Sequence, residues 1–461
     1  MHDIYQKFIK DSTRKAFDLE HRTKINFNIS KYNQAVKTGK QHYKDLELAK
    51  KRAQALKHKV VNNLDQYLIE FVSNFEKRGG KVIWALDEHD ANQAVLDIIK
   101  KNEAKTVVKS KSMTTEEIEL NDFLEKHDIK CLETDLGEYI VQVAGQKPYH
   151  IVTPAMHMSK DDVAELFHRK FHTPRESTPE ELTAYVREKL RKEFTGADIG
   201  ITGSNFIIAD TGSVCLTENE GNGLLSTAFP KTHIVIAGIE KIIPSITDLD
   251  LFWPLLASHG TGQKMTVYNS IISGPRQEDE LDGPEEMYVI LLENNRSEIL
   301  KHKEQRPALM CIRCGACLNA CPVYKNIGGH SYSTTYSGPI GSVITPHLKD
   351  MDEYKHLSFA SSLCGNCTMV CPVKIPLHEM LLNNRNESVQ KGFVKTSEKF
   401  SMTGMKNFLS KRNRMDMFSS RLKNLGMQLF FKQSWGPNRE LPKFAKKTFR
   451  ELWQEQKNNQ K

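Results

Sequence analysis

Seven cysteines between positions 311 and 371 are the residues of this sequence with the most evident chemistry, and the whole chain has nine. Four of them form a C-x2-C-x2-C-x3-C-P run, and the other three form a C-x2-C-x3-C-P run. The first spacing is typical of bacterial ferredoxins, in which three close cysteines bind one iron–sulfur cluster and the fourth binds another. Thiolates are soft ligands that suit iron. The seven residues are Cys311, Cys314, Cys317, Cys321, Cys364, Cys367 and Cys371.

The crossover rule of ferredoxins divides these cysteines into two ligand sets. When the two runs are aligned on their Cys-Pro ends, Ser361 occupies the position that matches Cys311. The first set therefore predicts a complete [4Fe–4S] cluster, whereas the second set has only three thiolates. The fourth iron of the second cluster is bound by Ser361, by a partner or by solvent, or is missing, which gives [3Fe–4S]; the sequence leaves these alternatives open. The first set is Cys311, Cys314, Cys317 and Cys371, and the second set is Cys321, Cys364 and Cys367.

Two other kinds of cysteine site compete with this interpretation. A structural zinc site needs only four ligands, usually in two separated pairs. Disulfides fit an exported protein, but the N-terminal stretch is too polar for a secretory signal. Neither alternative explains seven thiols with ferredoxin spacing. Cys131 and Cys215 each lie alone among apolar residues, and we expect both in the core.

Length and composition predict how the chain is divided. A chain of 461 residues favours two or three domains, and 39% apolar residues suffice for real cores. No apolar run is long enough to cross a bilayer. With oxygen-sensitive clusters and no export signal, we expect a cytoplasmic protein. The predicted regions are an N-terminal helical region (1–78), an α/β domain (79–295), a ferredoxin-type 4Fe-4S domain (296–390) and a basic helical C-terminal extension (391–461).

From Lys81 onward, short apolar strands alternate with helices, which predicts a parallel α/β sheet. The later strands are linked by short turns such as Gly203-Ser204 and Thr211-Gly212, so we expect them to form hairpins added to the parallel core. The predicted strands are Val82–Leu86, Thr106–Val108, Ile129–Leu132, His150–Thr153, Ala197–Thr202, Asn205–Ala209, Ser213–Leu216, Thr232–Ala237, Thr266–Ser270 and Met287–Leu292. The predicted helices are Ala91–Lys100, Thr114–Lys126, Leu136–Ala144 and a helical insertion over Lys160–Phe194, whose second helix begins at a Ser177 or Thr178 cap.

Two loops of the α/β domain are candidate ligand sites. Residues Lys109 to Ser112, with the sequence KSKS, follow a strand and precede a helix, a position that attracts anions. Residues Glu218 to Gly223, with the sequence ENEGNG, form a polar loop after another strand. Each loop could equally be an ordinary connection. No G-x-G-x-x-G follows a strand and opens a helix, so a dinucleotide-binding fingerprint is not seen.

The C-terminal third has two further features. The 42 residues between the cysteine runs exceed what a compact two-cluster ferredoxin needs and favour a helical ferredoxin-type domain. From Lys391 the chain has 17 Lys and Arg against 5 Asp and Glu, interleaved with apolar residues. Such a segment suits contact with a companion protein, an anionic membrane or nucleic acid, although no nucleic-acid motif accompanies it, or it is a plain solvated helical extension. A turn at Trp435-Gly436-Pro437-Asn438 and a last helix over about 442–456 complete the prediction.

The stretch Ala197–Gly212, ADIGITGSNFIIADTG, which continues through TENEGN to Asn222, resembles the signature of the LUD (lactate utilisation) domain. That domain looks like the fold of CoA transferases and sugar-phosphate isomerases. Together with the downstream cysteines and the basic extension, the order of parts is similar to the lactate utilisation protein B family. The resemblance maps the cluster ligands of that family onto the first and second sets as divided above.

The same resemblance implies a function. Such proteins act beside two companions, one with Cys-Cys-Gly cluster motifs and one stand-alone LUD protein, to oxidise L-lactate to pyruvate. We therefore expect an iron–sulfur electron-transfer component. The alternative is that the LUD domain itself binds and oxidises a 2-hydroxy acid or another anionic metabolite. A nucleic-acid-binding redox sensor is a third hypothesis, which the basic tail alone suggests.

Overall fold

The structure, a computed structural model, describes residues 2–394, 396–435 and 440–460, and it divides into two compact units at Glu387 and Ser388. The first unit opens with four helices, as the sequence predicts. Asp18 and Asp45 accept hydrogen bonds from His21 N and Leu48 N and so begin the second and third helices. These helices are α1 (His2–Phe17), α2 (Leu19–Gly39), α3 (Leu46–Asn62) and α4 (Leu64–Glu76).

Ten strands form two sheets in the first unit. Six of them make a fully parallel sheet in the order β1-β10-β7-β4-β2-β3, and four make a second, mixed sheet in the order β8-β5-β6-β9. The predicted α/β class is confirmed. The strands are β1 (Lys81–Ala85), β2 (Thr106–Lys109), β3 (Lys130–Glu133), β4 (Ile199–Thr202), β5 (Phe206–Ile208), β6 (Ser213–Glu218), β7 (Thr232–Gly238), β8 (Ile242–Ile243), β9 (Tyr268–Ile272) and β10 (Glu286–Leu292).

Helices cover the parallel sheet because its strands are apolar on both faces. On central β7, Ile234 and Ile236 belong to one core with α5, whereas Val235 and Ala237 belong to another with Phe71 of α4. The helices of this region are α5 (Glu88–Lys101), α6 (Met113–Glu117), α7 (Leu120–Glu125), α8 (Leu136–Val143), α9 (Lys160–Phe171), α10 (Pro179–Gly196), α11 (Asn222–Ala228), α12 (Leu249–Gly260) and α13 (Arg296–Lys301).

The prediction of a strand at His150–Thr153 was wrong. The backbone N–H groups of Val152 and Thr153 donate to Nδ1 of His150, at 3.1 and 3.2 Å, and not to a neighbouring strand. Tyr149 N donates to Pro154 O, which closes the loop. Because its own side chain satisfies the backbone, this apolar segment has no need of a sheet.

The predicted hairpins and the predicted helix over Thr114–Lys126 were each half right. Thr211-Gly212 does join the antiparallel pair β5 and β6, but Gly203-Ser204 leads from the parallel sheet into the mixed one. The long helix is two short ones, since Glu119 adopts a left-handed φ of 51°. Asn92 of α5 donates to the freed carbonyl of Ile118 at 2.8 Å and so stabilises the break.

The rest of the chain is helical. Thr178 caps α10 as the sequence predicts, and a capping box at Thr448 sets the start of the last helix at Phe449, later than predicted. Residues 436–439, where a turn is predicted, lie outside the described residues. The remaining helices are α14 (Ala316–Ala320), α15 (Pro322–Ile327), α16 (Gly338–Leu348), α17 (Met351–Phe359), α18 (Asn366–Val370), α19 (Leu377–Gln390), α20 (Thr396–Leu409), α21 (Arg412–Asp416), α22 (Ser420–Trp435) and α23 (Phe449–Asn459).

None of the helices in the described ranges combines the length and the apolar character that crossing a membrane requires. Cys131 and Cys215 are buried in apolar cores, as predicted. The division of the chain at residues 78, 295 and 390 stays a prediction.

A buried ion network joins the sheet to the cysteine-bearing segment. Arg296 of α13 is 1% exposed and donates through both terminal nitrogens to Glu117 at 2.9 Å. Its Nε donates to Glu240, just after β7, at 2.5 Å. Although burial opposes ionisation, Arg296 and then Arg313 lower the pKa of Glu240 to about 2. The network therefore stays charged and holds three distant parts of the chain together.

Removing Arg296 should therefore be costly. In Arg296→Met, two buried carboxylates lose their partner, and we expect the unfolding free energy to fall by about 3–5 kcal/mol, measured as a shift of the urea unfolding midpoint. The control Arg276→Met removes a partly exposed arginine that lies 3.6 Å from Glu285, and we expect a change of at most about 1 kcal/mol. Equal destabilisation by both variants would contradict this account.

Candidate metal centre and adjoining cavity

The first set of cysteines surrounds one cavity. Cys311, Cys314, Cys317 and Cys371 all line it, together with mostly apolar residues such as Ile151, and no cysteine of the second set does. Three of the four are less than 10% exposed, and Cys311 is half-buried. The structure thus brings together residues that are 60 positions apart, in the grouping that the crossover rule predicts.

The thiols of the first set influence each other electrostatically. Burial, and then the charges of Cys311, Cys314 and Cys371, raise the pKa of Cys317 well above its usual value. Burial also raises the pKa of Cys371 to about 11, with a further contribution from Cys311. Cys314, Cys317 and Cys371, whose pKa values burial raises, would not ionise together in this place without positive charge, which a metal centre supplies.

The second set gathers separately and closer to the surface. Burial, and then Cys321 and Cys364, raise the pKa of Cys367 to about 11. Cys364 is exposed, and the backbone N–H of Asn366 lowers its pKa. One centre is therefore enclosed and the other reaches solvent.

The spacing of the sulfurs disfavours zinc. Zn–S bonds of about 2.3 Å in a tetrahedral site place the sulfurs about 3.8 Å apart. Among the described residues, no three cysteine sulfurs lie within 4.8 Å of one another. Backbone N–H groups donate to the sulfurs of Cys311, Cys321 and Cys371 at 3.4–3.5 Å, as suits thiolate ligands. The residues present fit groups larger than one ion, such as iron–sulfur clusters.

Buried cations lie beside the first set, and sequence reasoning missed them. Lys57 is 1% exposed and donates to the carbonyls of Glu240 and Ile242. Arg313 lies 3.5 Å from Glu240 and stacks over Tyr336. Lys241 has no hydrogen-bond or ion-pair partner in the part of the chain that the structure describes, and burial, followed by Arg313, lowers its pKa to about 8. Arg313 lies within the first cysteine run, whereas Lys57 and Lys241 come close to the cysteines only in the folded chain, and no motif marks them.

A second, larger cavity adjoins the first set. Its volume is about 460 Å³, and it lies where β2 and β4 of the parallel sheet end. Both loops that the sequence analysis singled out line it, including Lys111 and Glu218, and so do Lys241, Arg313 and Cys314. Ligands of parallel α/β sheets commonly bind at this edge.

The walls of this second cavity differ in charge. Lys111 donates to Val152 O at 3.2 Å, and together with Lys241 and Arg313 it supplies cations. Glu220 accepts a hydrogen bond from Leu136 N at 3.0 Å. Burial, and then Asp135, raise the pKa of Glu220 to about 7. The cavity therefore offers cations for an anionic group and a carboxyl group that can hold or accept a proton near neutral pH.

Gly203 has a steric role in the Thr202–Asn205 stretch, whose sequence is TGSN. A Cβ atom at Gly203 would lie 2.5 Å from Oγ of Ser112. Only glycine lets the end of β4 approach the KSKS loop so closely. The glycine thus shapes the cavity and does not itself bind a ligand.

Comparisons with known proteins agree with this geometry. Residues 68–292 match the family described as LUD domain, and residues 307–375 match the family described as 4Fe-4S dicluster domain. "Lactate utilization protein B" of Bacillus velezensis is 48% identical over 352 residues, which cover 76% of this chain and 74% of that protein. "Lactate utilization protein B" of Bacillus pumilus is 45% identical over 405 residues, 84% of each chain.

The chain belongs to the lactate utilization protein B family. The resemblance stated from the sequence is confirmed, as is the order of a LUD domain followed by an iron–sulfur domain of ferredoxin type. A solved DUF162 family protein from Deinococcus radiodurans aligns with 50% of this chain and 98% of its own at 13% identity and a TM-score of 0.28, too low a similarity to support a conclusion.

The buried cations predict a property of the first centre in this family member. A positive charge nearby favours the more negative, reduced state of a cluster, so Lys241→Met should lower its reduction potential by several tens of millivolts. The second centre should change less. The measurement is a redox titration of the reconstituted protein followed by electron paramagnetic resonance.

A matched control for this variant is Lys231→Met, because Lys231 is 81% exposed and lies 4.0 Å from Glu285. We expect no shift there. A potential of the first centre that Lys241→Met leaves unchanged would show that this cation does not act on it.

Proposed function

We propose that this protein is the iron–sulfur electron-transfer component of a multi-protein system that oxidises L-lactate to pyruvate. The observation that carries the proposal is the pairing of an enclosed first set with a second set that reaches the surface. Relatives of this chain are named lactate utilization protein B. The proposal assigns the first set one [4Fe–4S] cluster and the second set another cluster with three cysteine ligands, [4Fe–4S] or [3Fe–4S].

The two sets are linked by two short helices. Cys317 and Cys321 lie on and just after α14, and Cys367 and Cys371 lie on and just after α18. Each helix thus carries one ligand of each set, which keeps the two centres adjacent. Thiolate-bound clusters exchange single electrons with little rearrangement, so adjacent centres suit the relay of a pair, one electron at a time.

The proposal assigns the removal of two electrons from lactate to companion proteins. These are a subunit with Cys-Cys-Gly cluster motifs and a stand-alone LUD protein. Exposed Cys364 is where a companion can approach the second set, and the basic segment from residue 391 onward is available for contact with a companion or with an anionic membrane surface. A cytoplasmic location keeps the thiols reduced and fits this role.

The relay hypothesis predicts a dependence on companions. Anaerobically reconstituted protein given L-lactate alone should keep its clusters oxidised, and addition of the two companions should reduce them. Absorbance bleaching and electron paramagnetic resonance measure the reduction. Reduction by lactate without companions would contradict the relay and favour the alternative below.

A second function is favoured by one observation, the cavity of about 460 Å³ that touches Cys314. In this alternative the LUD domain binds a 2-hydroxy acid or another small organic anion. The cations Lys111, Lys241 and Arg313 suit its carboxylate, and Glu220 suits its hydroxyl group. A ligand bound here would lie against the first set, which is where electron transfer to the relay would have to begin.

Direct binding tests this alternative. L-Lactate, pyruvate and inorganic phosphate are titrated separately by calorimetry, so that a carboxylate ligand is distinguished from a phosphate. Lys111→Met should weaken binding about tenfold, since it removes a charge-assisted contact. Lys105→Met, an exposed lysine outside the cavity, is the control. If none of the three anions binds, the proposal that the LUD domain binds a small organic anion is contradicted.

A further inference from the structure

The two cysteine runs adopt the same backbone with an offset of 50 residues. Arg313 and Leu363 have left-handed φ values of 59° and 53°, and Gly315 and Gly365 follow with 78° and 79°. A one-turn helix comes next in each, α14 or α18. A left-handed φ is uncommon outside glycine, and in both runs such a residue stands two positions before a left-handed glycine, so the match is not a generic loop shape.

The ends of the two runs match as well. Cys321 and Cys371 end their helices with extended ψ values of 120° and 122°. Each sulfur then accepts a backbone N–H, but the donor lies three residues on in the first run (Tyr324, 3.5 Å) and four residues on in the second (Ile375, 3.4 Å). The two runs are therefore two copies of one ligand loop, each of which gives its last cysteine to the other set.

The residues at the first position of the two loops, Cys311 and Ser361, differ in their side-chain atom, but both accept a backbone N–H from the residue two positions later. Arg313 N donates to Sγ of Cys311 at 3.4 Å. Leu363 N donates to Oγ of Ser361 at 3.1 Å. The Ser361 hydroxyl is thus held by its loop in the same way as the thiol that completes the first set.

We propose that Oγ of Ser361 is the fourth ligand of the cluster held by Cys321, Cys364 and Cys367. This inference rests on the proposed iron–sulfur function and adds the identity of its missing ligand. The geometry favours Ser361 over a partner's side chain, because the matching atom is already in place without a partner. A serine oxygen has two acceptor lone pairs, and the bond from Leu363 N uses one of them.

The main chain around Ser361 is fixed from outside the loop. Arg385 of α19 donates through Nη2 to Ser361 O at 3.0 Å and through Nε to Ser358 O at 2.9 Å. Ser361 is half-buried, as is Cys311. A ligand that is oriented before the metal binds loses little conformational freedom on binding.

The binding step balances without an oxidant or a reductant. The O–H bond of Ser361 breaks, an iron–oxygen bond forms, and the proton goes to solvent. Solvent reaches this part of the loop, because the neighbouring Ser362 is exposed. Oxygen is a harder ligand than sulfur and favours the more oxidised state of iron. The second centre should therefore have a lower potential than the same centre with four thiolates.

The test uses the full chain, reconstituted anaerobically, with iron counted and both centres followed by electron paramagnetic resonance. In Ser361→Ala we expect loss of one iron per chain and a [3Fe–4S] signal after oxidation. In Ser361→Cys we expect full iron content and a higher potential for the second centre. Ser361→Thr keeps a hydroxyl group and should retain the fourth iron.

The first centre supplies the matched control. Cys311→Ser copies the ligand pattern of the second loop into the first, so it should lower the potential of the first centre in the same direction. If Ser361→Ala lowers the yield of folded protein, Ser361→Cys and Cys311→Ser still decide the question by their opposite shifts.

Two outcomes overturn this inference alone. One is a wild-type second centre that is [3Fe–4S] even when prepared without oxygen. The other is a second centre whose iron content and potential are the same in wild type, Ser361→Ala and Ser361→Cys. Absence of iron and acid-labile sulfide from both sets would instead overturn the proposed function.

Discussion

The constraint on which this structure depends is the burial of charge. Enclosed thiolates in a medium of low dielectric are unstable unless positive groups lie near them. The chain meets this with Arg313, Lys241 and Lys57 near Cys311, and the Glu240 carboxylate lies 3.5 Å from Arg313 and acts electrostatically on both lysines. Glu240 is in turn fixed by Arg296, which also binds Glu117. The metal centre and the α/β sheet thus share one electrostatic network.

That network gives the LUD domain a physical role beside any ligand that it binds. Glu117 lies on α6 after β2, and Glu240 follows β7, so both carboxylates come from the carboxyl-end loops of the parallel sheet. The sheet positions these loops, and the loops position the arginines next to the cysteines. The cavity with Lys111 and Glu220 forms in the same region. The same LUD domain can therefore set the charges around a cluster and also bind a small anion beside it.

The two copies of the cysteine loop differ in their surroundings more than in their backbone. The first copy packs against the LUD domain, where Gly315 approaches Val152, and its sulfurs are mostly enclosed. The second copy leaves Cys364 exposed, and a Cβ atom added at Gly365 would meet no other described residue within 4 Å beyond its chain neighbours. Burial and nearby charge set cluster potentials, so clusters bound by these two loops would differ in potential. The proposed relay from an interior site to the surface would need such a difference.

Local sequence determined much of this protein. The cysteine spacing predicted the two sets, because a tight loop and its crossover involve few residues. Apolar periodicity located nine of the ten described strands and the region of α5 to α10, but it missed β8, α11 and α12. The Thr178 helix cap and the Cys-Pro ends of the two cysteine runs were also predictable, because each depends on residues close by in the chain. Tertiary structure alone decided the rest: that β4 and β5 would belong to different sheets, and that Lys57 and Lys241 would lie near Cys311. These outcomes depend on contacts between segments far apart in sequence, and spacing within a segment carries no information about which distant segment will pack against it.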